Sequence, residues 1–283
     1  MITLIYHNDI GIKIYIKSES TMLHKMIWEC FRFFDLSYKD EIDDIEKVLQ
    51  IIENDGTYRI DNFDYIFDDL NSVLGTLMEI ICSDYFLSNE NHVFIHGAAM
   101  LKDNELSLII APTMQGKSTL AALLATNGYQ YLSDDVIPIS LQDFTVTSYP
   151  KIMCIRNKDI LQSYKSNFES HFLEFCFNIK NIDNTTKNME ERYILLPRET
   201  ISTSSGRHFK IKNIYFIERN ETLGNQTELL EMSNDISIIT LMKNLRSPDD
   251  LGKLRKIAST LIKTTKCYRL IYGSGYGYMR NFL

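Results

Sequence analysis

The chain has 283 residues, 45% hydrophobic and 24% charged, with a formal net charge of −7 and a pI near 5.4. That is a globular composition with length for one large core or two modest ones, and its acidity argues against wholesale nucleic-acid binding. The most apolar stretch, Val73 to Phe86, is broken by Glu79 and Asp84 and is too short and polar to span a bilayer.

Residues 1–90 carry 18 acidic and 7 basic side chains, a net −11, and the remainder a net +4. The shift sets a boundary near residue 90, with an N-terminal α+β region at 1–90 and a second unit at 91–283. The five cysteines, Cys30, Cys82, Cys154, Cys176 and Cys267, are scattered and form no CxxC pair, which fits neither a zinc site nor a disulfide framework. A reducing, cytoplasmic home follows as the expectation. The opening "MITLIYHNDIGIKIYI" alternates like a strand and has no basic segment ahead of an apolar run, so it is not read as a signal peptide.

In chain order, residues 1–17 predict a hairpin turning at Asn8, Asp9 and Gly11. "MLHKMIWECFRFF" has helical spacing. "KDEIDDIEKVLQIIENDG" predicts a helix with an acidic first turn and Gly56 as its stop. "TYRIDNFDYIFDD" predicts strand and turn, and residues 72–87 a helix. "HVFIHGAAML" and "LSLIIAP" predict strands joined by a turn at "KDNE". A helix follows from Lys117 to about Thr126, with Gly128 at its left-handed stop. "YQYLSDDVIPI" predicts one strand, 144–156 strand, 157–176 a helix, "RYILLP" a strand, "RETISTSSGRH" a loop and "FKIKNIYFIER" a strand. Ser233 predicts a helix start, as do Ser247 and Pro248, and "CYRLIYG" closes as a strand.

Within this pattern "APTMQGKS" matches a relaxed phosphate-loop spacing. Ala111, Pro112, Thr113, Met114 and Gln115 lead to Gly116, where the backbone can approach an anion. Lys117 offers a cation to phosphate oxygens, Ser118 a hydroxyl to Mg²⁺, and Thr119 continues the helix whose positive end faces the anion. The Cβ of Ala111 restricts a position that is usually glycine. Seventeen residues after Lys117, Asp134 and Asp135 stand side by side. Adjacent carboxylates repel unless a cation or proton is shared, and a nucleotide with Mg²⁺ or a substrate hydroxyl supplies one. Because a strand alternates its faces, the two take separate roles: Asp134 as catalytic base, Asp135 on the metal, directly or through water.

"IHGAAM", "APTMQGKST", "LAALLATNG" and "YLSDD" together resemble, in order and spacing, the catalytic core of bacterial HPr kinase/phosphorylase and its relatives over about 94–140. The resemblance implies a P-loop-containing mixed α/β sheet core of the HPr kinase and phosphoenolpyruvate carboxykinase type. It implies ATP and Mg²⁺, with Lys117 and Ser118 on phosphates and metal, Asp134 as base and Asp135 beside the metal. It also implies that His96 lies close to the reacting phosphoryl group; the residues alone read His96 as a strand histidine. Thr119 stands where glutamate follows Gly-Lys-Ser in HPr kinases, and the glycine-rich C-terminal motif of those enzymes has no clear match. The pattern is closer to the divergent kinases that tailor ribosomal precursor peptides, such as those of lasso peptides.

The expected function is transfer of the γ-phosphoryl group of ATP to a Ser or Thr hydroxyl of a peptide or small protein. The alternatives are a small-molecule or free amino acid kinase on the same core, or a non-catalytic nucleotide-binding partner protein. Neither nucleic acid nor membrane is an expected partner, and homo-oligomer formation stays open. Arg156, Arg192, Arg198 and Arg207 are the candidate cations for the transferring group. Phe168, Phe172, Phe175 and Phe177 read as core or an oligomer face. Tyr272, Tyr276 and Tyr278, interleaved with glycines, read as a strand-edge tail.

Overall fold

The computed structural model describes residues 2–7, 12–39, 48–61, 66–70, 72–77, 80–81, 91–155, 174–177, 190–195, 197, 199–246 and 251–273. β1 (Ile2–His7) and β2 (Ile12–Lys17) pair antiparallel with Ile5 opposite Ile14, as the alternation predicts. β3 (Asp35–Lys39) flanks β1, and β4 (Val48–Asn54), β5 (Thr57–Ile60) and β6 (Ile66–Phe67) extend the sheet in the order β3-β1-β2-β4-β5-β6. Helix α1 (Thr21–Phe31) starts where the Ser20 hydroxyl accepts from the Leu23 amide. Its Leu23, Met26, Ile27, Cys30 and Phe31 recur at helical spacing and share one core with Ile5, Ile14 and Ile16.

The helix expected to end at Gly56 is instead the strand β4 wherever the chain is described. Leu49 and Ile51 are buried and Gln50 and Ile52 exposed, a two-residue period. Asp55 and Gly56 both take positive φ (48° and 77°), the geometry of a tight hairpin turn into β5, so the dipeptide is a turn signal rather than a helix stop. The acidic residues 40–47 lie outside the described residues. Residues 72–77 and 80–81 are helical, as expected.

The large sheet is mixed. It contains β7 (His92–Ile95), β8 (Gly97–Lys102), β9 (Glu105–Ile110), β10 (Gln130–Asp134), β11 (Ile137–Ser140), β12 (Thr145–Thr147), β16 (His208–Arg219), β17 (Thr227–Glu231), β18 (Leu245–Arg246) and β19 (Lys266–Tyr272). The order is β10-β8-β9-β16-β12-β11-β7-β18, with β19 on β16 and β17 outside β19. β9, β16 and β19 are mutually parallel, with Phe216 level with Ile110 and Arg219 level with Tyr272, so their carboxyl ends share one edge. A small sheet holds β13 (Met153–Ile155), β14 (Glu174–Phe177) and β15 (Glu190–Leu195) in the order β13-β15-β14. Residues 174–176 are therefore strand where a helix was expected, and the strand runs on to Phe177; the pairing of Phe175 with Arg192 and Phe177 with Glu190 decides it. Residues 156–173 are outside the described set.

Both faces of the large sheet are covered. Helix α2 (Lys117–Ala125) packs with Ala98, Met100, Ile109 and Leu270 on one face. Helix α4 (Leu251–Ile262), beside α3 (Asn234–Met242), packs with Ala99, Leu108, Ile110 and Ile214 on the other. The alternation Leu108, Ile109, Ile110 between the two clusters is the pleat of one strand serving two layers. The six-stranded sheet joins this body through Phe94, Val136, Tyr149 and Ile152, which share its core, and the Phe34 ring meets Tyr149 edge-on at 5.2 Å. No helix among the described residues is long and apolar enough to cross a membrane.

Two segments expected as single strands are each two. β7 becomes β8 at His96, and β10 becomes β11 at Asp135 and Val136. On one side of the break β8 pairs with β9 and β10; on the other β7 pairs with β11 and β18. Asp135 turns with φ 71°, the left-handed region that a strand cannot continue through. Gly97 sits at the same level, where an added Cβ would lie 2.7 Å from the Ile109 carbonyl oxygen. Gly97→Ala must push β8 from β9, and we expect a loss of about 1–3 kcal/mol in denaturant unfolding. Unchanged stability would show that the two strands are not locked there.

Candidate functional site

The loop from Ala111 to Gly116 leaves the carboxyl end of β9 and opens α2. Gly116 is the helix N-cap with φ 78° and supplies no side-chain cap, and the first turn of α2 holds no acidic residue. Its first amide N–H groups are thus left for an anion. Pro112, Thr113 and Met114 form an exposed crest, Met114 with φ 70°. Ala111 is buried and is not among the residues with positive φ, so its Cβ fits an opening position that needs no glycine. Gln115 is gripped from the sheet: its Oε1 accepts from the Arg219 amide at 2.9 Å, and its carbonyl accepts from the Tyr272 hydroxyl at 2.9 Å.

Lys117 is buried and turned back onto its own loop, its Nζ donating to the Ala111 and Pro112 carbonyls at 2.9 and 3.1 Å. Burial pushes its pKa down, opposed by the charges of Asp134 and Asp135 and reinforced by Arg246. These groups therefore share one electrostatic neighbourhood although they come from α2, β10, the β10–β11 break and β18.

The two aspartates stand in different surroundings. Asp134 ends β10 beside Ala98 and is 3% exposed. Burial pushes its carboxyl pKa up, with a hydrogen bond from the Ser118 side chain opposing, and its Oδ1 is buried with no partner. Asp135 is half-exposed, and its two oxygens are taken: Oδ1 by His96 Nδ1 at 2.9 Å and Oδ2 by Lys151 Nζ at 2.9 Å. Its partial burial works to raise the carboxyl, but His96 and Lys151 outweigh this and hold it well below the usual carboxylate range. The Nδ1 of His96 also lies 3.1 Å from the Asp135 carbonyl oxygen. Both neighbours are acceptors, so Nδ1 carries the proton. Its Nε2 is buried without a partner.

The structure thus gathers His96, Lys117, Ser118, Asp134 and Asp135. It does not bring in Arg207, which lies with Asn104 and over the Phe209 ring at 4.8 Å. Asn104 is in the β8–β9 turn, at the far end of β9 from the loop and so roughly 20 Å away. Arg156 and Arg198 lie outside the described residues. The cations near the site are Lys151 and Arg246, which sequence reasoning did not single out. Lys151 follows Tyr149 and Pro150 with no motif around it, and Arg246 reaches the site only because β18 pairs with β7 beside His96, whose amide donates to the Asn244 carbonyl at 2.9 Å. Tyr272, expected in a tail, is instead a fully buried residue of β19; Tyr276 and Tyr278 are outside the described residues.

No protein-family model matches the chain, and no curated protein sequence does. Among solved structures it is similar to the HPr(Ser) kinase/phosphatase from Coxiella burnetii, with 12% identity over 67% of this chain and 85% of that one and a TM-score of 0.31.

The environment of Asp134 has a consequence for stability. Its folded pKa lies above the unfolded value, so the carboxylate costs stability at neutral pH and costs nothing once pH falls below about 4, where both states are protonated. Asp134→Asn is expected to raise Tm at pH 7 by roughly 2–4 °C, the effect of about 1 kcal/mol in a protein of this size, and the gain should vanish below about pH 4. Thermal unfolding across pH checks this; a loss of stability at pH 7 would contradict it.

Proposed function

We propose that the protein is an ATP-dependent kinase that transfers the γ-phosphoryl group to a Ser or Thr hydroxyl of a peptide or small protein, a ribosomal precursor peptide being the favoured acceptor. The observation that carries this reading is Asp134: a nearly sealed carboxyl, hydrogen-bonded by the first-turn hydroxyl of the phosphate loop helix, with one buried oxygen still unpartnered. A structural aspartate would be fully bonded or solvated. A carboxyl held in this way, with a raised pKa, supports the role of a base next to the phosphate loop.

The residues fit Mg²⁺, which takes one or two protein oxygens and completes its shell with phosphate and water. The Ser118 hydroxyl would hold it, with Asp135 as a second oxygen donor if it is released from Lys151. When bound, the ion neutralises charge on the β- and γ-phosphate oxygens. Lys117 leaves the Ala111 and Pro112 carbonyls for phosphate oxygens, and the α2 amides bind the same group. Asp134 accepts the acceptor hydroxyl's proton as the new O–P bond forms and the bond from the γ-phosphorus to the β-bridging oxygen breaks, releasing ADP. His96, its ring held by Asp135, offers Nε2 to the acceptor or the phosphoryl group, and Arg246 supplies a further cation.

Intact-mass measurement after incubation with ATP and Mg²⁺ tests the reading, with the short peptide encoded nearest the gene and, separately, HPr as acceptors. The expected result is a gain of about 80 Da per transfer, lost in Lys117→Ala. Asp134→Asn should keep ATP binding and lose transfer by at least about 100-fold, the scale of a general base; full activity in that variant would overturn the role given to Asp134. Nucleotide binding without transfer to either acceptor would favour a metabolite kinase or a non-catalytic binder.

A further inference from the structure

We propose that Tyr272 is a positioning residue for phosphate binding: with Gln115 it forms a clamp that fixes the orientation of the Gln115–Gly116 peptide. The inference rests on reading the loop as a phosphate cradle. Tyr272 is fully buried and its hydroxyl donates to the Gln115 carbonyl, so that carbonyl points into the protein. In a planar trans peptide the N–H points opposite to the C=O. The Gly116 N–H is therefore sent out of the core, toward the open side of the loop.

This peptide needs an external hold. On its far side Gly116 is secured, because its own carbonyl accepts from the Leu120 amide at 2.9 Å in the first helical bond. The Gln115–Gly116 unit has no such partner within the helix. Glycine enters positive and negative φ with similar ease, so nothing in Gly116 itself prevents the plane from turning over. A turned plane would aim the carbonyl oxygen, a negative dipole, at the anion. The Tyr272 bond blocks that, and as a donor to the C=O it polarises the attached N–H into a better donor. The second contact comes from the neighbouring strand end, where Gln115 Oε1 accepts from the Arg219 amide. Arg219 and Tyr272 are register partners at the ends of β16 and β19, so two adjacent parallel strands hold one loop residue.

The test measures Kd by calorimetry for MgATP and for inorganic tripolyphosphate on wild type and Tyr272→Phe, which keeps the ring and removes the hydroxyl. The expected result is a loss of roughly tenfold for both ligands, the scale of one lost buried hydrogen bond, with unchanged far-UV dichroism. A loss confined to MgATP would overturn the inference, since the residue would then act on the nucleoside. Equal affinity in the two proteins would also overturn it. If wild type binds neither ligand, it is the phosphate-cradle reading beneath the inference that fails. Should Tyr272→Phe not fold, Gln115→Ala serves in its place. It is expected to weaken both ligands several-fold, and unchanged affinity there would equally overturn the clamp.

Discussion

Two carboxylates on consecutive residues cannot both sit ionised in a protein interior without compensation, and much of this structure is arranged around that constraint. Asp135 receives the compensation: a histidine on one oxygen, a lysine on the other, and partial solvent access. Asp134 receives burial, a single hydroxyl and the charges of Lys151 and Lys117, and burial wins. One carboxyl is held low and its neighbour raised, which gives an anion that orders its surroundings beside an acid that can exchange a proton. The split depends on the backbone break. Asp134 ends a strand in register with Ala98, and Asp135 turns out through positive φ, so the pair diverges into separate environments more sharply than simple strand alternation would achieve.

The same break explains why the sheet changes partners where it does. His96 and Asp135 are the points at which two chain segments leave one half of the sheet for the other, and each takes its side chain to the other's side. A continuous pair of strands would bury both residues in a ladder. The cost of interrupting it is lowered by Gly97, which lets β8 lie close against β9, and by β18, whose preceding residue Asn244 accepts the His96 amide that would otherwise lose its partner.

How far the sequence revealed this follows from the range of each interaction. The loop, its helix and the Asp pair lie within 25 residues, so the helix after the loop and the closeness of the aspartates to it were legible from residue type and spacing. The hairpin of β1 and β2 and helix α1 were legible for the same reason. The β4 region was misread because its acidic lead and apolar run suit a helix until the two-residue burial period and the Asp55–Gly56 turn are seen. The contacts of Lys151 and Arg246 with the site, and of Tyr272 with the loop, were not legible because they arise only through pairing: Lys151 through the path that returns to Asp135, Arg246 through β18 on β7, Tyr272 through β19 on β16.

Strain and unmet bonding at the site point the same way. Met114 and Asp135 hold left-handed backbone without being glycine, which costs each residue of order 1–2 kcal/mol. Asp134 Oδ1 and His96 Nε2 are buried without partners, and Lys117 spends its charge on carbonyls of its own loop. A protein optimised only for folding would shed these features singly, since each is removed by one conservative substitution. Left-handed residues and unpartnered buried atoms also occur elsewhere, at Asp55, Phe144 and Thr227 Oγ1, but the ones gathered around this helix N-terminus fit a surface that could take charge from outside. An incoming polyphosphate would relieve several at once: Lys117 would exchange weak carbonyl contacts for an anion, the α2 amides would gain acceptors, and a hydroxyl brought against the phosphate would give Asp134 the partner it lacks.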